Sequence, residues 1–170
     1  MFTVLNDPDL PELKVCLETR VGGKSGQELL SELDPGSFFV SKGVKEDILS
    51  EDSTRVLDDK VSVKFARVKV SELGFKDIPP QVREVWSRIQ SLGLSLCKMN
   101  DAIILRLKIK PSIGEVVFVA TEQSARFGGI YHLFTLGQYH DSRCLSRILI
   151  HPKHKLSLDK EIIIRISEFS

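Results

Sequence analysis

The stretch "AIILRLKI", residues 102 to 109, decides how the second half of this chain is read. Ile103, Leu105, Leu107 and Ile109 point one way with Arg106 and Lys108 the other, and this period of two predicts a half-buried strand. "KPSIG" (110–114) turns the chain into "EVVFVATE" (115–122), and "IYHLFTL" (130–136), "CLSRILI" (144–150) and "EIIIRIS" (161–167) follow across Gly-, Asp-, Pro- and Lys-rich connections. About five strands at short intervals with no helix between them predict an antiparallel sheet, strongly curved or barrel-like.

Upstream, "PPQVREVWSRIQSLG" (79–93) starts with proline, repeats Val82, Val85, Trp86, Ile89 and Leu92 at helical spacing and closes on Gly93. A helix over 80–92 packed on the sheet follows, with Trp86 as a core anchor. "VSVKFARVKV" (61–70) puts Val61, Val63 and Phe65 on one face and then shifts phase to Val68 and Val70, which predicts a bulge near Ala66. Before it, "LKVCLETRV" (13–21) alternates as a strand, Ser25 and Glu28 have capping-box spacing ahead of Leu29, Leu30 and Leu33, and Pro35-Gly36 stops that helix. "SFFV" (37–40) reads as a short extended piece, and 44–49 as a second small helix leading to the acidic loop at 50–60.

The class is therefore α+β: about five C-terminal strands on one helix, with a small N-terminal α/β segment. Charge divides the chain at the same place. Residues 1–60 carry 7 Lys+Arg against 13 Asp+Glu, and residues 61–170 carry 17 against 10, under a net charge of +1. An acidic segment at 1–60, as a lobe of its own or a part of the same fold, and a basic β module at 61–170 are expected.

With 170 residues and 42% hydrophobic content, a core needs no disulfide or metal staple. Runs such as "VVFVA" and "III" fall far short of the ~18 apolar residues that cross a bilayer, so no membrane role is expected. Cys16, Cys97 and Cys144 are odd in number and widely spaced, which suits a reducing, cytoplasmic compartment.

At "VSELGF" (70–75), "LGLSLC" (92–97), "LRL" (105–107) and "KPSIGE" (110–115), the chain resembles a family of uncharacterised bacterial proteins common in candidate-phylum genomes. The resemblance spans roughly residue 38 to the C-terminus. It implies a turn before a short helix, then strands at the second and third motifs, and no activity. The chain departs from that pattern at Lys98, Lys110 and Val116, where the family has proline, glutamine and tryptophan.

"HLFTLGQYHDSRCLSRILIHPKH" (132–154) holds all four histidines together with Cys144. A zinc site needs about four donors converging at ~2.0–2.3 Å. A hairpin of 129–136 with 144–150 around a tip near His140 disperses them, placing His132 opposite about residue 148 and His151 roughly 24 Å from Cys144. No metal and no cofactor are expected. Cys144 with His140 lacks a group that would orient the imidazole, so a nucleophile is not expected either. Phosphate-loop, dinucleotide, zinc-protease and nucleophile-elbow motifs are absent; "VGGKSGQELL" (21–30) only imitates the first of these. "GIY" (129–131) resembles the opening of the GIY-YIG endonuclease signature, yet "TLG" follows after three residues and the rest reads as strands.

The remaining signal is charge. Lys64, Lys69, Arg106, Lys108, Arg147 and Arg165 are expected on the polar side of the sheet, with Tyr131, Tyr139 and Phe127 near them to stack on bases. The segment "KEDILSEDSTRVLDD" (45–59) offers a small helix and a negative loop to a basic protein partner. A small soluble binding or regulatory module without catalysis, with nucleic acid or a protein as partner, is the expectation. The alternative is a metal-dependent hydrolase or nuclease with a dispersed site at Glu115, Glu122, His132 and Arg147.

Overall fold

A computed structural model describes residues 11–33, 38–50, 60–123 and 127–169. In chain order the elements are β1 (Val15–Val21), α1 (Gly26–Leu33), β2 (Phe38–Val40), α2 (Lys42–Ile48), β3 (Val61–Lys69), a 3-10 turn (Val70–Leu73), α3 (Val82–Ser91), α4 (Met99–Lys108), β4 (Val116–Val119), β5 (Tyr131–Tyr139), β6 (Ser142–Ile150) and β7 (Glu161–Phe169). The strands form one open seven-stranded sheet in the order β1-β3-β7-β4-β5-β6-β2. The class is α+β as the patterning predicts. The sheet does not close into a barrel, because β1 and β2 remain as its two edges.

The largest correction concerns "AIILRLKI". It is not a strand but most of α4, and six consecutive side chains from Asp101 to Arg106 are buried. A helix covered nearly all round has no polar stripe, so its apolar residues carry no period of 3.6 to read. Its helical signals lie at the ends. The Asp101 carboxylate accepts the Lys98 N–H at 2.8 Å, and Arg106 and Lys108 complement the negative C-terminal end of the helix dipole.

The other four expected segments contribute β4 to β7, but they are not a simple meander. β4, β5 and β6 are antiparallel neighbours, whereas β7 returns to lie between β3, antiparallel, and β4, parallel. β2 lies parallel to β6. The sheet is therefore mixed.

Both faces are covered. Val63 and Phe65 of β3, Val117 and Val119 of β4, Phe134 and Leu136 of β5 and Ile163 of β7 pack with α1, α2 and α4. Ala66, Val68, Phe118, Leu133, Ile162 and Ile164 pack on the other side with Val82, Val85, Trp86 and Ile89 of α3. This explains the phase change in "VSVKFARVKV": Phe65 and Ala66 are successive residues on opposite, equally buried faces. Irregular register does occur beside them, with the extra residues on the neighbours: Cys16 is skipped between Val15↔Ala66 and Leu17↔Phe65, and Ile166 between Ser167↔Lys64 and Arg165↔Phe65.

Residues 15–48 supply both sheet edges and two of the helices on the first face, over the same core as the later strands. The Ser25–Glu28 box is formed, with N–H to side-chain oxygen distances of 2.7 and 3.2 Å. α3 (Val82–Ser91) lies inside the expected 80–92, ends just before Gly93 at φ 73°, and its Trp86 Nε1 donates to the Thr121 carbonyl at 2.9 Å. The expected stop at Pro35-Gly36 and the acidic loop at 51–59 lie outside the described residues. Among the described residues no helix is long and apolar enough to cross a membrane.

Candidate functional site

The hairpin scatters the histidines. Tyr139 faces Ser142 across a tip of His140 and Asp141, where His140 adopts φ 48°, and His132 faces Leu149. His132 is fully buried between Phe127 and Phe134, with ring centroids 5.1 and 5.9 Å away. Neither of its ring nitrogens has a hydrogen-bond partner among the described residues. Burial, reinforced by the positive charge of Arg147, pushes its pKa down to about 4, so it is neutral at pH 7.

His151 and His154 belong to a loop that serves α3 through its backbone. The carbonyls of Pro152 and His154 accept the N–H groups of Arg83 and Val82 at 3.1 and 2.8 Å, satisfying donors of the first helical turn. Among the described residues no three His, Cys, Asp or Glu side chains gather into an arrangement that could hold a metal ion. Of the dispersed hydrolytic set, Glu115 stands apart from His132. Glu115 binds Arg67 and sits before Val116, which faces Gly137; His132 lies five residues along β5, ~17 Å away. Arg147, whose charge reaches His132, is bonded to Asp47, and Glu122 is exposed.

The expected basic face is also redistributed. Arg106 and Arg165 do not point to solvent: they are 0% and 1% exposed. Arg165 pairs with Asp101 at 3.4 Å, and Arg147 is turned onto Asp47 of α2 at 2.7 Å with its guanidinium 5.2 Å from the Phe127 ring centre. Lys64 lies 3.8 Å from Glu18 on β1. Tyr131 is half-buried, edge-on to Trp86 at 5.9 Å. Lys69, Lys108 and Tyr139 remain exposed, with Lys69 at the end of β3 and the other two at the ends of α4 and β5.

Arg106 explains why α4 ends where it does. Its Nη1 donates to the carbonyls of Gly137 (2.8 Å) and Cys144 (3.2 Å), and its Nη2 to that of Ile109 (2.6 Å). No carboxylate pairs with it among the described residues. Burial first, and then the charge of Arg143, lowers its pKa to about 10, which leaves it protonated at neutral pH.

Next to these carbonyls opens a cleft of about 610 Å³. Phe38 of β2, Lys110 and Ser112 of the α4–β4 connection, Gln138 of β5, Asp141 of the hairpin tip and Arg143 of β6 line it, with His140 at the tip. Gln138 and Arg143 are the chain neighbours of Gly137 and Cys144, and Lys110 follows Ile109, so Arg106 holds the backbone that carries three of the lining side chains. Arg143 lies 5.4 Å from the Phe38 ring centre and, like Lys110, makes no ion pair among the described residues. Arg106, Lys110 and Arg143 thus gather positive charge at one end of the molecule, with Lys108 beside them.

Arg143, Gln138 and Lys110 are absent from the strand-face expectation. The pairing of Gln138 with Arg143 is within one residue of the register that a tip at His140 implies. Lys110 joins them only because α4 is a helix.

A scan against protein-family models and searches of curated proteins and of solved structures return no match.

Proposed function

We propose that this protein is a non-catalytic binding module and that its ligand presents an anionic group to the cleft between the α4–β4 connection and the β5–β6 hairpin. The observation that carries the reading is the company of Lys110 and Arg143, which line the cleft, and the buried Arg106 behind them, three cations without a carboxylate partner among the described residues. A buried guanidinium that bonds only to carbonyls keeps its full charge, and a second cation nearby raises the local potential further. An anion in the cleft lowers the energy of both. The volume lies within the range of small-molecule sites.

This reading replaces a broad nucleic-acid face on the sheet with a compact site, because Arg106 and Arg165 are buried and Arg147 is turned onto Asp47. Phosphate is the chemistry shared by a small ligand and a nucleic-acid strand, and salt dependence separates them. The protein is titrated with inorganic phosphate, a mononucleotide and short single- and double-stranded oligonucleotides at several salt concentrations. A small anion gives a shallow log–log salt slope, whereas a strand lying over several cations gives a steep one. Binding that weakens at least tenfold in both Lys110→Ala and Arg143→Gln supports the site. Absence of anion binding at low salt overturns it and points to a protein partner.

A further inference from the structure

The cleft is not uniformly positive. Asp141 brings a carboxylate to its lining, and this side chain makes no ion pair among the described residues. Gln138 is 4% exposed, and its Nε2 donates to the His140 carbonyl at 2.7 Å. That bond fixes the amide orientation and leaves Oε1 as an acceptor with no partner among the described residues. Oε1 itself is closed off from solvent, so the charges that reach the cleft are the cations of the α4–β4 connection and β6 and the Asp141 carboxylate of the hairpin tip.

A simple anion satisfies only half of this lining. It meets Lys110 and Arg143, but it faces repulsion from Asp141. A compound that carries a positive N–H donor beside its acid group satisfies both halves, and the two charges of the ligand then oppose those of the cleft. Resting on the reading of this cleft as an anion site, we propose that its ligand is a small dipolar compound bearing both an acid group and an ammonium group, the acid held by Lys110 and Arg143 and the ammonium by Asp141.

Ethyl phosphate and 2-aminoethyl phosphate differ only by the ammonium, and calorimetric titration of the full chain with each isolates its contribution. The aminated compound is expected to bind about fivefold tighter, the scale of one partly exposed ion pair. In Asp141→Asn, a substitution suited to a turn position, that preference disappears while ethyl phosphate binds at least as well as before. Lys110→Ala weakens both compounds. Equal affinity for the two in the wild type, or a preference that survives Asp141→Asn, overturns the dipolar ligand and leaves the anion site standing. Failure of both compounds to bind overturns the two readings together.

Discussion

The carboxylate of Asp101 and the guanidinium of Arg165 lie 3.4 Å apart with both side chains buried, joining the first turn of α4 to β7. Taking away one member of such a pair leaves its partner's charge uncompensated, which costs about 3–5 kcal/mol, whereas removing both costs much less. Arg165→Met is expected to lower unfolding stability by that amount. The Asp101→Leu/Arg165→Met double variant recovers most of it, short of about 1 kcal/mol for the lost cap on the Lys98 N–H. Urea unfolding curves measure both.

Gly43 of α2 touches the second ion pair across the same layer. A Cβ built there would stand 2.7 Å from the Arg147 guanidinium, which is held by Asp47. Gly43→Ala gains about 1 kcal/mol of helix propensity but must displace Arg147 from its 2.7 Å bond to the buried Asp47. The variant is expected to be destabilised overall. In an Arg147→Ala background the same change becomes neutral or stabilising, and a double-mutant cycle reads the difference in sign.

His132 makes stability fall in mild acid. The unfolded chain takes up its proton near pH 6.5 and the folded chain only near pH 4. Between these values the unfolded state binds more protons, so the stability present above pH 6.5 is lost progressively down to pH 4, by about 3 kcal/mol. His132→Phe, which keeps a ring between Phe127 and Phe134, is expected to flatten this part of the pH–stability profile. Unfolding midpoints measured every half unit from pH 4 to 7 test it, and an unchanged slope in the variant would contradict the assignment.

Thiol labelling distinguishes the three cysteines. Cys97 is fully buried beneath β7, its Sγ 3.7 Å from the Ile163 carbonyl, and burial pushes its pKa far up. Cys16 is exposed and Cys144 half-buried. Only these two are expected to react with Ellman's reagent in the native protein, Cys16 slowly because burial of its sulfur raises its pKa. The third thiol appears with denaturant. Rapid native labelling of Cys97 would show that α4 does not seal this core.

Local signals were legible wherever one segment carries its own evidence. Ser25 and Glu28 declare a helix start, "VREVWSRIQ" repeats at helical spacing up to Gly93, and the alternation of "LKVCLETRV" and the tip at His140 fix an edge strand and a hairpin. "AIILRLKI" was not legible, because a helix buried on nearly every side shows the same apolar density as a strand. Ile103, Leu105 and Leu107 happened to alternate. That single ambiguity also sent Arg106 to the wrong side of the molecule.

Composition and short-range pattern alone determined that this chain has an α+β core and a hairpin that sets His132 far from its tip at His140, since these depend on neighbours within a few residues. Only the tertiary structure decided that β7 slips between β3 and β4, that helices cover both faces of the sheet, and that Arg106, Lys110 and Arg143 meet at one end of it. Those outcomes rest on which distant surfaces exclude water from one another, and a residue's own neighbours in the chain do not encode that partner.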